Sequence, residues 1–183
     1  MIFAETPLAG AFVITPEPVT DSRGFFARLF CAKAFAEHGL NPALNQISMS
    51  YNALAGTLRG LHLQRPPFGE AKLVRVTTGA IFDVVVDVRA GSPTFGRWFG
   101  LELSASNRTQ IYIPVGFAHG FQTLTPQVEV LYHISEPYQP GHAAGIRFDD
   151  PDLAINWPAP EARTISDRDA ALPPLAQFEP VKL

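Results

Sequence analysis

The stretch GTLRGLHLQRPPFGEAKLVRV, residues 56–76, carries the clearest indication of the fold. It holds one histidine, His62, together with several cations and a double proline, between two segments of strand-like composition. A second stretch, PVGFAH at residues 114–119, ends in another histidine, His119. About fifty residues of strand-like sequence separate the two stretches, which is enough chain to bring both histidines into one barrel.

The spacing within these two stretches fits the two halves of a cupin barrel motif. Five residues separate Gly56 from His62, as at the opening of the motif, and residues 114–119 fit its second half, P-x-G-x-x-H. We therefore expect both histidines to project into one barrel. The cations of the first stretch form a local site for an anion on an otherwise mildly acidic protein; they are Arg59, Arg65, Lys72 and Arg75.

The rest of the chain has the pattern of an all-β protein. Nine or so short segments of strand-like composition, separated by glycine and proline, predict a sandwich or barrel. We expect a single domain over residues 1–183, an all-β, cupin-like jelly-roll β-barrel with short peripheral helices. The proline- and aspartate-rich C-terminal segment that begins at Asp149 is expected to pack back onto the barrel.

Local patterns predict the individual elements. Residues 32–38 are alanine-rich and precede Gly39, which is typical of a short helix with a glycine cap. Residues 80–88 alternate phenylalanine and valine at even positions with Asp83, Val85 and another aspartate at odd positions. Thr78-Gly79 favours a tight hairpin. Strands are predicted at residues 11–15, 23–30, 45–51, 71–77, 80–88, 97–104 and 110–113, and a further pair at 119–124 and 128–135.

Composition and charge argue against several classes of protein. The net charge of −3 and pI of about 5.9 do not favour binding to nucleic acid or to an anionic membrane. A single cysteine, Cys31, excludes an intramolecular disulfide and a cysteine-rich zinc site. No signal peptide is visible in residues 1–10, and the longest apolar run, residues 80–86, is too short to span a bilayer. We expect a cytoplasmic protein.

The two histidines raise the question of a metal, because many cupins bind one with two histidines, a glutamate and a further histidine. Here Gln64 occupies the place of the second histidine, and Glu70 lies one or two positions too far along for the carboxylate. His62 and His119 alone are fewer ligands than a stable site usually has, so we expect no metal. Two such histidines suit proton transfer near neutral pH; the alternative is that both are hydrogen-bonded core residues.

Further motifs run along nearly the whole chain: DSRGFF at 21–26, GTLRGLH at 56–62, KLVR at 72–75, SPTFG at 92–96, IPVGFAHGF at 113–121, Tyr132, Asp150-Pro151, INWP at 155–158 and SDRD at 166–169. In residues and order they resemble the nucleotide-sugar 3,5-epimerases, typified by dTDP-4-dehydrorhamnose 3,5-epimerase. The resemblance implies a cupin-like homodimer that acts on a nucleotide-diphosphate sugar without metal or organic cofactor. In such a substrate the 4-keto group makes the hydrogens on C3 and C5 acidic, because the resulting carbanion delocalises into an enolate.

The resemblance implies catalytic roles for four residues. His62 is the implied base, and Asp169 is the carboxylate that fixes its ring tautomer. Tyr132 is the implied acid, which returns a proton to the opposite face, and Lys72 the cation that stabilises the oxyanion at O4. Without the resemblance, Asp169 fits a turn, Tyr132 a half-buried strand position and Lys72 a solvated strand. Asp83 is either a partner for a barrel cation such as Lys72 or a second orienting carboxylate.

Other positions match substrate-binding positions of the family: Arg23, Arg28, Gln46, Ser48, Arg59, His119 and Arg168. Arg59 is expected to hold the diphosphate through forked hydrogen bonds. Arg23 also fits an ordinary cation on an edge strand. The family often has a glutamate at the position of Arg28 and another at Ala143, so the identity of the nucleotide or sugar stays open.

The sequence favours epimerisation at C3 and C5 of a nucleotide-linked 4-keto-6-deoxy sugar, of the dTDP-4-dehydro-6-deoxyglucose to dTDP-4-dehydrorhamnose type. Alternatives are a C3-only epimerase and an epimerase of a CDP-, UDP- or GDP-linked keto sugar. A related isomerase that moves the keto group between C3 and C4, and a non-catalytic cupin that binds a sugar nucleotide, are further alternatives. Tyr132 argues for epimerisation, because an isomerase that works on one face needs no acid across the ring.

Overall fold

The computed structural model describes residues 1–159, 161 and 163–183. Its strands are β1 (Ile2–Glu5), β2 (Phe12–Thr15), β3 (Val19–Asp21), β4 (Gly24–Phe26), β5 (Gln46–Asn52), β6 (Leu58–Gln64), β7 (Lys72–Thr78), β8 (Ala80–Asp87), β9 (Trp98–Ser104), β10 (Gln110–Ile113), β11 (Phe117–Thr123), β12 (Val128–Ile134) and β13 (Ala143–Gly145). The α-helices are α1 (Ala32–Glu37) and α2 (Asp167–Ala170), and 3-10 turns lie at Pro140–His142 and Leu175–Gln177. Within the described residues, no helix is long and apolar enough to cross a membrane.

Two antiparallel sheets make up the barrel. The first has six strands in the order β1-β2-β10-β7-β12-β5, and the second has five in the order β13-β6-β11-β8-β9. The short strands β3 and β4 form a separate hairpin. Consecutive strands from β6 to β8 and from β9 to β13 alternate between the two sheets, as in a jelly roll. The predicted all-β, cupin-like jelly-roll fold is confirmed.

An apolar core fills the space between the two sheets. Val74, Val76 and Ile111 from the first sheet meet Val85 and Phe121 from the second, and all five side chains are fully or almost fully buried. Period-two alternation explains this placement, since every second side chain of a strand points to the same face. Each such side chain stabilises the fold by roughly 1.5–3 kcal/mol relative to exposure.

The chain after β13 covers the outer face of the second sheet. Leu153, Trp157 and Phe178 pack with Val84 and Val86 of β8 in one buried cluster. Parallel bridges between Thr57 and Thr164 and between Arg89 and Val181 attach this segment to the barrel. The expected packing of the C-terminal segment onto the barrel is confirmed, and both faces of β8 are consequently buried.

The predicted hairpin at Thr78-Gly79 is wrong. Gly79 has a φ of +78° and turns the chain tightly, but β7 pairs with β10 and β12 in the first sheet, whereas β8 pairs with β9 and β11 in the second. Strands β11 and β12, also predicted as a pair, are likewise in different sheets. Alternating patterns identify a strand, but they do not identify its partner when two sheets bury similar side chains.

Two local predictions at the N-terminal end have different outcomes. The helix at residues 32–38 is confirmed as α1, and Gly39 follows it with a φ of +70°. The strand predicted over residues 23–30 is shorter than expected, because β4 ends at Phe26. Phe30 instead packs edge-on against Phe35 of α1, with ring centroids 4.8 Å apart.

Candidate active site

A cavity of about 550 Å³ lies between the two sheets. The first sheet contributes residues of β5, β7 and β12, the second contributes residues of β6, β11 and β13, and α2 closes part of the wall. The alternation of β5 explains most of its share, because Gln46, Ser48 and Ser50 line the cavity while Ile47 and Tyr51 are exposed outside; Met49 is the odd-position residue that also lines it. The cavity therefore has polar groups in its lining, beside apolar ones such as Leu63 and Phe121, within an otherwise apolar barrel.

The two motif histidines lie side by side in the second sheet. His62 of β6 is directly opposite His119 of β11 in the register, and both line the cavity. The two strands approach closely at Gly60 and Gly120: a Cβ added to Gly60 would lie 2.5 Å from the Cα of Gly120. Gly60 also has a φ of +124°, which favours glycine. The glycines thus let the two histidine-bearing strands, which are antiparallel neighbours in the sheet, approach each other closely.

His62 forms a dyad with a carboxylate from α2. Its Nε2 lies 2.7 Å from Oδ1 of Asp169, whose other oxygen accepts a hydrogen bond from the backbone N–H of Gly60 at 3.0 Å. Ser166 caps α2 by accepting a hydrogen bond from the Asp169 N–H. Burial alone would raise the pKa of Asp169, but the hydrogen bonds from His62 and Gly60 outweigh it and lower that pKa below its usual value. An ionised carboxylate therefore orients His62, with Nε2 as the donor and Nδ1 left as the acceptor.

His119 has its own carboxylate partner, Asp83 of β8. Nε2 of His119 lies 2.8 Å from Oδ2 of Asp83, and the two side chains are 5% and 0% exposed. Of the two roles predicted for Asp83, the geometry corresponds to the orienting carboxylate rather than to the partner of Lys72. The His62 side chain is 41% exposed, so the two dyads differ sharply in access to water.

Tyr132 lies on the opposite wall, on β12 of the first sheet, beside Ser48 of β5 in the register. Its ring meets the ring of His119 edge-on, with centroids 6.2 Å apart. Burial raises the pKa of Tyr132 well above its usual value, and the negative charge of Asp83 adds to the effect. A hydrogen bond with Ser50 opposes the shift without cancelling it. The phenol therefore stays protonated across the neutral range.

Lys72 is also on the first sheet, at the start of β7, and it forms an ion pair within the cavity. Its Nζ lies 2.9 Å from Oε1 of Glu70, and the two side chains are 12% and 7% exposed. Both residues line the cavity. A lysine ammonium is thus held by a carboxylate on the wall that also carries Tyr132.

Two exposed arginines line the cavity as well. Arg59 is anchored by a hydrogen bond from its Nε to Oδ1 of Asn52 at 2.7 Å. The pKa of Arg168 is raised by a hydrogen bond with Tyr138, whose side chain also lines the cavity. These cations give the site a positive edge next to its histidines.

The structure brings most of the predicted site residues into this one cavity; they are Gln46, Ser48, Arg59, His62, Lys72, His119, Tyr132, Arg168 and Asp169. Arg23 and Arg28 do not line it. Arg23 lies on the β3–β4 hairpin, is 88% exposed and pairs with Asp21 at 2.6 Å. Arg28 is exposed in the segment between β4 and α1. Within one chain, these two arginines are separate from the cavity.

The sequence did not single out several cavity residues. The sequence pattern indicates for Glu70 only a poorly placed metal ligand, although its position two residues before Lys72 puts both side chains on one face of an extended segment. Glu136 and Tyr138, which follow β12, carry no pattern that distinguishes them from ordinary loop residues. Ala143 lines the cavity. The replacement of a glutamate that is common at this position in the resembling family therefore lies within the site.

Gln64 has a structural role here. Its amide donates to the carbonyls of Phe68 and Pro137, and its oxygen accepts from the N–H of Gln139 at 2.6 Å. It thereby joins the loop after β6 to the loop after β12. Among the described residues, no three His, Cys, Asp or Glu side chains converge as a metal-binding group.

Comparison with known proteins extends these observations. The model of a family described as dTDP-4-dehydrorhamnose 3,5-epimerase matches residues 5–177. A dTDP-4-dehydrorhamnose 3,5-epimerase from Sinorhizobium fredii is 42% identical over 178 residues, which cover 97% of this chain and 91% of that protein.

Two solved structures are also similar. One is a dTDP-6-deoxy-D-glucose-3,5-epimerase from Legionella pneumophila in complex with dTDP-4-keto-L-rhamnose, with a TM-score of 0.93 and 38% identity over 100% of this chain and 98% of that one. The other is a 3′-monoepimerase from Streptomyces bikiniensis in complex with dTDP-quinovose, with a TM-score of 0.87 and 35% identity over 93% and 86% of the chains.

Proposed function

The chain belongs to the dTDP-4-dehydrorhamnose 3,5-epimerase family, and from that premise we propose how its cavity epimerises a dTDP-linked 4-keto-6-deoxy sugar at C3 and C5. The protein is an isomerase of this class. One observation supports the proposed mechanism above the others. His62 and Tyr132 stand on opposite sheets, so a sugar ring between them has a base on one face and an acid on the other.

His62 is the proposed base. Asp169 holds the Nε2–H, so Nδ1 has the lone pair that accepts the proton from C3 or C5. The ionised carboxylate then stabilises the imidazolium that forms. The 41% exposure of His62 gives the imidazolium contact with water, through which the abstracted proton leaves.

Tyr132 is the proposed acid. Its pKa is raised by burial, so it keeps its proton until the enolate carbon on the opposite face accepts it. Abstraction on one face and protonation on the other invert the carbon. The phenolate left on Tyr132 then takes up a proton from solvent, so each inversion introduces one solvent-derived proton into the sugar.

Lys72 is proposed to stabilise the negative charge that develops on O4. A fixed ammonium in a partly dehydrated site stabilises an oxyanion more strongly than water does. Its 12% exposure and its ion pair with Glu70 keep it in place before the reaction starts. His119, held by Asp83, is proposed to bind the sugar from the side of His62.

The nucleotide is proposed to bind through the polar and cationic edge of the cavity. Arg59 is suited to the diphosphate, because a guanidinium donates parallel hydrogen bonds to phosphate oxygens. Arg168 adds a second positive charge, and Gln46 and Ser48 supply polar groups on β5. The dTDP ligands of the two similar solved structures favour a thymidine nucleotide.

We infer that two copies of the chain assemble as a homodimer. Large apolar side chains are exposed on the hairpin, where Phe26 is 75% exposed, and on the edge strand β5, where Ile47 is 65% exposed. Both an apolar surface and an open sheet edge favour association. Arg23 and Arg28 lie outside the cavity of their own chain, so their proposed contact with substrate requires the cavity of the partner.

A C3-only epimerase is a second candidate, supported by the similarity to the 3′-monoepimerase. The two reactions use the same enolate chemistry and differ in whether C5 also exchanges. Proton NMR of dTDP-4-keto-6-deoxyglucose incubated with the protein in deuterated water distinguishes them. We expect deuterium at both C3 and C5. Exchange at C3 alone would establish the monoepimerase. No exchange would contradict both candidates, and the CDP-, UDP- and GDP-linked sugars would be tested next.

A further inference from the structure

Glu70 is a buried carboxylate in the cavity that the mechanism above uses only through Lys72. Oε1 forms the 2.9 Å ion pair with Nζ of Lys72. Oε2 is buried and has no hydrogen-bond partner among the described residues. The side chain as a whole is 7% exposed and lines the cavity. One oxygen of a buried charged group is thus left without a donor.

An unpaired buried carboxylate oxygen is unfavourable, because it loses its hydration without compensation. In the part of the chain that the structure describes, no neighbouring group supplies a donor to Oε2. Lys72 already faces Oε1, and the amide of Gln64, another cavity residue, donates to two backbone carbonyls. A donor from a bound ligand would satisfy Oε2, and a sugar offers hydroxyl groups for this purpose.

We propose that Glu70 is a specificity-determining residue whose Oε2 accepts a hydrogen bond from the hydroxyl on C3 of the sugar. This inference rests on the proposed function, in which Lys72 binds O4. The 3-hydroxyl is the neighbour of O4 on the ring, just as Glu70 is the neighbour of Lys72 in the cavity. An ammonium with three N–H donors can hold Glu70 and O4 at the same time.

The two proposed contacts, Glu70 with the 3-hydroxyl and Lys72 with O4, fit best the planar enolate intermediate of the C3 reaction. When the C3–H proton moves to the base, its electron pair delocalises through C4 onto O4, and C3 becomes planar. O3 and O4 then lie in one plane, facing the carboxylate and the ammonium respectively. In the C5 enolate C3 stays tetrahedral, so the contact with Glu70 is not improved. An interaction that strengthens only in the intermediate accelerates only that step.

The test is Glu70→Gln, which keeps the shape and the carbonyl acceptor for Lys72 but removes the charge from the free oxygen. Deuterium exchange at C3 and at C5 of dTDP-4-keto-6-deoxyglucose is measured separately by proton NMR. We expect C3 exchange to fall about tenfold or more, the loss typical of a hydrogen bond to a charged group, and C5 exchange to change much less. Glu102→Gln, at an exposed position on β9, is the matched control and should leave both rates unchanged.

An equal loss at C3 and C5 would overturn the inference, because it would mean that Glu70 acts only by placing Lys72. The 3-deoxy analogue of the substrate gives a second, independent result. The wild-type protein should exchange C3 of the analogue more slowly, and Glu70→Gln should add no further loss; additive losses would also overturn the inference. A wild-type protein that exchanges neither hydrogen of the ordinary substrate would instead contradict the proposed function.

Discussion

His62 and His119 are paired with carboxylates in the same way, yet they differ in exposure, with side chains 41% and 5% exposed. A base that exchanges its proton with solvent must be reached by water, whereas a residue that only donates to the substrate is better fixed when it is buried. The exposures therefore support His62 as the base and His119 as the binding residue. The carboxylates that hold them have different origins, since Asp169 comes from α2 and Asp83 from β8.

At the residue scale, the first prediction concerns Asp169. Asp169→Asn removes the charge that stabilises the imidazolium and allows the unproductive ring tautomer, so we expect kcat to fall by roughly a hundredfold or more. Steady-state rates and deuterium exchange at C3 and C5 measure the loss. Asp167→Asn, on the same helix but exposed, is the control and should keep near wild-type rates. Wild-type exchange by Asp169→Asn would mean that the dyad is not used.

Tyr132→Phe gives a second prediction at this scale. The variant keeps the base but lacks the acid, so a proton can return only from the face that lost it. We expect turnover to fall by roughly a hundredfold or more, while recovered substrate slowly gains deuterium with its configuration retained. Proton coupling constants distinguish retained from inverted carbons. Inversion at the wild-type rate would exclude Tyr132 as the acid.

Motif spacing alone indicated His62 and His119, because it places both side chains in one barrel. The other site residues were identified through the family resemblance, since Lys72 on its own fits a solvated strand. The pairing of Glu70 with Lys72 follows from their spacing of two residues, but the burial of Glu70 in the cavity could not be predicted, because it depends on how the loop after β6 returns to β7. Tyr138 belongs to a loop whose conformation depends on Gln64, a contact across 75 positions of sequence that no local pattern shows.

At the scale of elements, the loop after β8 is organised around the buried side chain of Asp87. Arg89, Ser92 and Thr94 all donate hydrogen bonds to it, at 2.7, 2.6 and 2.6 Å. The serine and threonine belong to the SPTFG motif at residues 92–96. Within this motif, these two hydroxyls fasten the end of a strand to the following loop.

This network predicts a specific dependence of stability on pH. Burial alone would raise the pKa of Asp87, but the hydrogen bonds from Arg89, Ser92 and Thr94 lower it to about 2. Because the folded pKa lies below the unfolded value, the contribution is present above about pH 4 and is lost as the pH falls towards 2. Asp87→Asn should therefore lower the free energy of unfolding by about 2 kcal/mol at pH 7 and by less near pH 2.

Urea unfolding at a series of pH values measures the Asp87 effect. Asp152→Asn, at an exposed position beyond β13, is the control and should follow the wild-type curve. A constant difference between Asp87→Asn and wild type from pH 7 to pH 2 would show that the carboxylate charge does not contribute.

The positions of the strands were predicted far better than the pairing of strands within the sheets. Alternation in the sequence located β5, β7 and β8 to within one or two residues, because it reflects which side chains are buried. The false hairpin at Thr78-Gly79 arose because a tight turn with glycine serves equally well to pass from one sheet to the other. Only the long-range pairing of β7 with β12 decides between these outcomes.

At the scale of the whole molecule, the inferred homodimer makes a further prediction. Ile47→Asp places a charge on the exposed edge strand β5, so it should shift the protein from dimer to monomer. Multi-angle light scattering measures the mass, which should be twice the 19.9 kDa of one chain for the wild type. Leu183→Asp replaces another exposed apolar residue and should leave the dimer intact. A wild-type protein of single-chain mass at micromolar concentration would contradict the inference.

The position of Asp169 along the chain has a consequence for synthesis. All thirteen strands of the described residues precede it, and so does His62, the residue that it orients. A ribosome therefore releases the complete set of barrel strands before it releases the carboxylate. A nascent chain that has already paired its sheets still lacks the dyad, and the outer face of its second sheet is still without Phe178. Catalytic competence thus arises late, after the barrel strands and Trp157 have been released, so that a chain arrested before α2 would fold in part without turning over substrate.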